Sequence, residues 1–244
     1  MPDDGAAIEI EGLRKSYGSV EALQGVTLRV ERGEVFGYVG PNGAGKTTTL
    51  KILSGLIQPT EGRVRVAGVE VTEAPLAAKA RVGYVPESGA LFEKLSAAEY
   101  LTLTGRLYGL AEDRIRSRAD HWLRYFDLAS RAGAPLATLS KGLKQRVCWM
   151  AALLHDPEVL VLDEPLNGLD VETVARAKDL MAALARDGRT VFYSSHLIDI
   201  VEVVCTRVAV LHAGRVLAQG TTGEVASALG APSLEQALLG LGRE

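Results

Sequence analysis

A chain of 244 residues with 47% apolar and 23% charged side chains has the composition of a soluble globular protein with a full core, and its length allows one large domain or two small ones. The net charge of −3, with Lys and Arg scattered, argues against nonspecific nucleic-acid binding. Two cysteines outside any C-x-x-C pair, Cys148 and Cys205, argue against a disulfide framework or a zinc site. No apolar run is long enough to span a membrane, and the acidic start MPDDGAAIEI does not read as a signal peptide. The expectation is a cytoplasmic chain that meets a membrane only through a partner.

In chain order, IEIEGLRKSYG and EALQGVTLRV alternate as strands broken by glycine. EVFGYV, residues 34–39, is a short apolar run ending at Gly40, as a buried strand does. TTLKILSGLI has helical spacing and is predicted to be ended by Pro59 and Gly62. RVRVAG and RVGYV are two further strands. From about Ser88 to Leu154 the period becomes helical. LSAAEYLTLTGRLYGL, DRIRSRADHWLRYFDL and the series Leu143, Val147, Met150, Ala151, Leu154 space apolar residues by three and four, with Cys148 a small core residue among them. Strand–helix alternation then resumes through VLVLD, VETVARAKDLMAALARDG, TVFYS and LIDIVEVV. RVAVLHAGRVLAQG reads as a hairpin turning at Ala213-Gly214, and Thr221-x-x-Glu224 and Ser233-x-x-Gln236 are capping boxes for two short C-terminal helices. The economical organisation is one domain: an α/β core over about 1–87 and 155–220, a helical insert over about 88–154, and an extension over 221–244.

GPNGAGKT, residues 40–47, fits G-x-x-x-x-G-K-[ST] between a strand and a helix, which is the context that motif needs. Across Gly40, Pro41, Asn42, Gly43, Ala44 and Gly45 the glycines let backbone N–H groups turn inward around phosphate oxygens, and the helix N-terminus adds partial positive charge. Lys46 is placed to reach the β- and γ-phosphates, Thr47 to put its hydroxyl on Mg²⁺, and Thr48 to donate to the α-phosphate. VLVLDEP is a buried-type strand stopping in two carboxylates. Asp163 is assigned to Mg²⁺ and Glu164 to polarising the attacking water. LSKGLKQR, residues 139–146, poses a separate question, because Ser140 and Gly142 look like the opening of an anion-binding helix in a chain that already has a phosphate loop.

The ordered set GPNGAGKTT, YVPES, LSKGLKQR, VLVLDEP, NGLD and SSH, spread from about Ile8 to Gly220, resembles the ATP-binding cassette (ABC) ATPases. The resemblance implies a P-loop NTPase core, RecA-like with a mostly parallel sheet, an antiparallel N-terminal part and a helical subdomain insert. It implies ATP and Mg²⁺ as ligands, Tyr17 stacked on adenine, His196 at the γ-phosphate, and Gly168-Leu169-Asp170 facing a partner subunit. Ser140 and the N–H of Gly142 then contact the ATP of a second ATP-binding subunit packed head-to-tail; a homodimer is the expectation, because all the motifs of one half-site are present in this chain, with a heterodimer the alternative. Two positions depart from the family pattern. The usual LSGGQ is LSKGL here, with Lys141 and Leu143 replacing Gly and Gln, and the usual Gln after the YVP strand is Glu87, which still ligands Mg²⁺ or holds a water. The implied function is the ATP-hydrolysing subunit of an exporter-type transporter on the cytoplasmic face of the membrane. Phe92, Leu95, Tyr100 and Leu103 then lie near the groove for an integral membrane permease subunit. The alternatives are a soluble ABC ATPase acting on nucleic acid or ribosomes, which usually adds a second cassette or coiled coil, and a non-hydrolysing ATP-gated module, against which Glu164 and His196 both stand.

Overall fold

The computed structural model describes residues 5–88 and 91–241; the first residues of MPDDGAAIEI and the end of the 221–244 extension lie outside that range. Two long strands, β1 (Ala6–Tyr17) and β2 (Val20–Glu31), open the chain and pair antiparallel. β3 (Val35–Val39) leaves them for a second sheet, and the chain then returns to the first with β4 (Glu61–Val66) and β5 (Val69–Glu70), giving the order β2-β1-β4-β5. The alternation of β1 sends Ile8, Ile10 and Leu13 inward, while Glu9 and Glu11 stand opposite Arg65 and Arg63 of β4 on the outer face.

The second sheet adds β6 (Val82–Val85), β7 (Val159–Asp163), β8 (Thr190–Ser194), β9 (Arg207–His212) and β10 (Arg215–Gly220), in the order β10-β9-β3-β8-β7-β6. All its pairs are parallel except β9 with β10, the predicted hairpin at Ala213-Gly214. β3, β7 and β8 are buried along their whole length, as continuous apolar runs are when both faces of a parallel sheet are covered.

The helices are α1 (Lys46–Leu53), α2 (Pro75–Arg81), α3 (Ala97–Leu107), α4 (Glu112–Tyr125), α5 (Lys141–Leu153), α6 (Val171–Arg186), α7 (Ile198–Val204), α8 (Thr222–Ala228) and α9 (Leu234–Leu241). α1 stops well short of the predicted Pro59. Gly55 takes φ +63°, its N–H donates to the Ile52 carbonyl and that of Leu56 to the Lys51 carbonyl, and this left-handed cap ends the helix one turn early. The pattern of APLAAKAR did not suggest α2, a short helix that Pro75 opens at its first positions. The Thr221–Glu224 box forms in full at α8; at α9, Ser233 accepts the Gln236 N–H (3.2 Å), one half of the expected box.

Two apolar clusters result. One lies between the antiparallel sheet and the parallel sheet around α1, with Leu13, Leu50, Phe36, Tyr38 and Phe192. The other joins the parallel sheet to α5, α6 and the insert, with Trp149, Phe126, Leu162, Tyr193 and Cys148. The phosphate-loop segment sits where these layers meet, at the carboxyl edge of the parallel strands.

Candidate active site

Strand register decides which side chains meet. Tyr38 and Asp163 both stand opposite Ser194 of β8, and Val85 stands opposite Leu162 of β7. The segments that follow the four strands therefore leave the sheet along one edge, where ligands bind in open α/β sheets. They enclose a cavity of about 560 Å³. Gly40 to Gly43, Gly45 to Thr48, Glu87, Asp163, Glu164 and His196, all singled out in the sequence, line it together with Ala22, which was not.

The loop's shape depends on its glycines. A Cβ on Gly40 would lie 2.0 Å from the Leu211 carbonyl oxygen. One on Gly45, at φ +107°, would lie 2.6 Å from that of Ala22, so β2 and β9 press directly on the loop backbone. Ala44 is buried beneath it, its N–H donating to the Pro41 carbonyl (3.3 Å). Gly45 caps α1, whose first-turn N–H groups have no acceptor within the helix. Lys46 is buried and folds back, with its Nζ donating to the carbonyls of Gly40 (2.6 Å) and Pro41 (3.0 Å). Burial pushes its pKa below the usual lysine value, and the negative charges of Glu164, Asp163 and Glu87 oppose that shift.

Asp163 ends β7 almost fully buried. The Thr47 hydroxyl donates to its Oδ1 (3.3 Å) and the Tyr84 hydroxyl to its Oδ2 (3.4 Å). Burial raises the Asp163 pKa, the Thr47 bond offsets part of this, and Glu164 and Glu87 raise it further. Tyr84 is held protonated by its own burial and by Asp163, so it is a permanent donor to that carboxylate. The alcohol of Thr47 beside the carboxylate of Asp163 is a hard-oxygen pair that fits Mg²⁺, an ion that takes one or two protein oxygens and fills its remaining positions with phosphate and water. Among the described residues no group of three or more His, Cys, Asp and Glu side chains is arranged to hold a metal ion.

Glu164 adopts φ +46°, a strained conformation for a residue with a Cβ. Its N–H donates to the Ser194 carbonyl (3.0 Å) and its carbonyl accepts the Asn167 N–H (3.2 Å), which fix the turn. Its carboxylate is 10% exposed and meets the half-exposed His196, with Oε2 2.8 Å from Nδ1 and 3.3 Å from the His196 backbone N–H. The side chain is thus oriented by a neighbour from the next strand and still reaches the cavity, as a water-orienting base requires. A second cavity, about 470 Å³, shares Gly40, Pro41 and His196 and extends to Leu238 and Leu239 of α9.

Tyr17, Ser140, Gly142 and Asp170 do not line the nucleotide-sized cavity. Tyr17 is 49% exposed at the end of β1, with the Lys15 ammonium 5.1 Å from its ring centre. Ser140 is the exposed N-cap of α5 and accepts the Leu143 N–H (3.3 Å). Gly142 packs so tightly that a Cβ there would lie 2.5 Å from the Gly168 carbonyl oxygen, and the Lys141 stem runs alongside Gly168. Asp170 caps α6 through the Thr173 N–H (2.9 Å) and pairs with Arg146 of α5, and these bonds hold its pKa down at about 2. The start of α5 and the 168–170 loop therefore form a second surface, separate from the chain's own phosphate loop.

The family model described as ABC transporter matches residues 23–167, more than half of the chain. The chain belongs to the ABC transporter ATP-binding family. Two of its relatives are the daunorubicin resistance ATP-binding protein DrrA3 of Streptomyces coeruleorubidus, 39% identical over 95% of this chain and 73% of that protein, and the Nod factor export ATP-binding protein I of Paraburkholderia xenovorans (strain LB400), 36% identical over 96% and 77%. Among solved structures, an ATP binding subunit of an ABC transporter superposes with a TM-score of 0.90 at 33% identity, covering 97% of this chain and 99% of that one. A dimeric post-hydrolysis state of the ATP-binding cassette MJ0796 bound to ADP and Pi superposes with 0.81 at 27%, covering 88% and 98%. This ABC ATPase binds ATP and hydrolyses it to ADP and phosphate as the ATP-binding subunit of a transporter, and its fold is the P-loop NTPase core with the antiparallel N-terminal sheet and inserted helices expected from sequence. Among the described residues no helix is long and apolar enough to cross a membrane.

Proposed function

We propose that this ABC ATPase drives an exporter as a head-to-tail homodimer, docked from the cytoplasmic side on a separate integral membrane permease subunit. The observation that carries the reading is the division of the phosphate-binding parts. The phosphate loop, Asp163, Glu164 and His196 share one cavity, whereas the N-terminus of α5, with Ser140 and Gly142, lies outside it, beside Gly168 and Asp170. A second copy turned end for end brings that α5 terminus to the open side of the cavity, where its free N–H groups meet the γ-phosphate.

Within each cavity the loop backbone, Lys46 and Thr48 bind the phosphates, and Tyr17 stacks on the adenine edge. Thr47 and Asp163, with Glu87 at the rim, hold Mg²⁺, whose charge offsets that building up on the phosphates. Glu164 orients and deprotonates the attacking water; the Glu164–His196 contact keeps that carboxylate aimed, and His196 presents its other ring nitrogen toward the γ-phosphate. Division into a core of about 1–87 and 155–220, an insert of 88–154 and an extension of 221–244 gives the insert the task of carrying the signature surface and the permease contact. Phe92, 63% exposed with the Tyr100 ring tilted against it at 6.2 Å, and Leu107, 77% exposed, supply apolar surface for that contact, beside the half-buried Leu95 and Leu103. The export direction rests on the relatives named for drug resistance and Nod factor export.

Purified Glu164→Gln is expected to bind ATP with wild-type affinity and to lose at least about a hundredfold in turnover, the scale of a lost general base. Wild-type turnover in the variant would remove Glu164 from the chemistry.

A further inference from the structure

α5 presents two buried polar side chains one turn apart. Gln145 is 3% exposed, and its Nε2–H donates to the Pro86 carbonyl (2.9 Å). Trp149 is fully buried, and its Nε1–H donates to the Pro165 carbonyl (3.2 Å). Positions i and i+4 share a helix face, and β6 and β7 are neighbouring strands, so one face of α5 grips the ends of both. Both carbonyls lie just past a strand end. Pro86 directly follows Val85, the last paired residue of β6, and precedes Glu87; Pro165 lies two residues beyond Asp163, the last paired residue of β7, and directly follows Glu164. Neither proline can donate a backbone N–H to a ladder, so the side chains of α5 hold the backbone where the sheet no longer does. A buried amide carries a desolvation cost that an apolar side chain would avoid, and the bond to Pro86 offsets it. Gln145 also lies only five residues from the Ser140 N-cap, about 7.5 Å along the helix.

We propose that Gln145 and Trp149 are positioning residues that tie the exposed start of α5 to the backbone bearing Glu87 and Glu164, so that phosphate capture at Ser140 in one copy sets the two carboxylates of that same copy's cavity. The inference rests on the reading of α5 as a phosphate-binding surface. Each helix is then a rod with a ligand at one end and two catalytic-loop backbones clamped to its side, which links the two nucleotide sites of a pair. The clamp requires no motion of the parallel sheet, because both bonds fall beyond its ladder.

The test uses Gln145→Met and Trp149→Phe in the full chain; each keeps most of the side-chain volume and deletes one donor. The expected result is ATP affinity within about twofold of wild type and kcat lower on the order of tenfold, the effect of a small misplacement of reacting groups. The double variant is expected to lose little more than the worse single one, since both bonds serve one clamp. A merely structural role would lower the melting temperature and ATP affinity together without that split. Wild-type kcat in either folded, ATP-binding variant overturns the clamp, as does a loss equally shared with ATP affinity. If Gln145→Met does not fold, Trp149→Phe decides alone. Ser140→Arg separates the two levels. If it leaves turnover unchanged, the phosphate reading of α5 falls and the clamp's function with it; if it abolishes turnover while Gln145→Met and Trp149→Phe remain fully active, the clamp alone is overturned.

Discussion

The Lys46 ammonium folds onto its own loop, bonded to the carbonyls of Gly40 and Pro41. ATP binding must exchange those bonds for charge-assisted ones to phosphate, and the three carboxylates around the ammonium oppose the lowering of its pKa by burial. Lys46→Ala is accordingly expected to weaken ATP binding by at least about tenfold in a calorimetric titration, the loss of a charged hydrogen-bond partner; unchanged affinity would contradict its placement. Glu87 differs, because it is exposed at the rim and acts on Lys46 and Asp163 through space. Glu87→Gln should keep basal hydrolysis within about tenfold, a barrier change of about 1.4 kcal/mol, and complete loss would place Glu87 in the chemistry itself. At this scale the sequence was readable wherever a site is contiguous or stands at a strand end: GPNGAGKT apart from the buried Ala44, Asp163-Glu164 and the SSH histidine line the cavity. Ala22, Tyr84 and Gln145 were not readable, because register and helix docking bring them in from elsewhere and nothing in their local pattern marks them.

Among the elements, the end of α5 carries a pH response that follows from packing. His155 stacks flat on Tyr108, 3.7 Å between ring centres, with Nε2 3.0 Å from the Val82 carbonyl and Nδ1 buried without a partner. Burial, the leading cause, lowers its pKa to about 4; the bond to Val82 opposes this and nearby Arg118 adds to it. A base with a depressed folded pKa protonates first in the unfolded chain. Its contribution is therefore fully present above the unfolded value near 6.5 and is lost as pH falls from there toward 4, by on the order of 3 kcal/mol. Urea unfolding at pH 7.5 and pH 5 should show that loss in the wild type and a smaller one in His155→Gln; equal losses would contradict the account. Most elements were legible from period alone because their apolar faces are long. α1 was overextended because Gly55, within an otherwise periodic run, takes a left-handed cap, and α2 was missed because seven residues are too few to show a period.

For the whole molecule, the strand order gathers the phosphate loop, Asp163, Glu164 and His196 at one edge while the α5 terminus, packed on Gly168 and paired with Asp170, presents a second surface elsewhere, the one proposed to meet a partner's phosphate. The departures Lys141 and Leu143 fit that surface. Lys141 is exposed and adds positive charge, and Leu143 is half-buried against the core, where it trades polar contact for packing. Neither change touches the chain's own cavity, so the account holds that ATP, bound by one copy, is completed by another. The most direct test is light scattering after gel filtration of Glu164→Gln, which is expected to retain ATP, with and without Mg-ATP. The account predicts a monomer that becomes a dimer on adding Mg-ATP, and a monomer throughout when Ser140→Arg is added. A protein that binds ATP yet stays monomeric, or a dimer that survives Ser140→Arg, would contradict it.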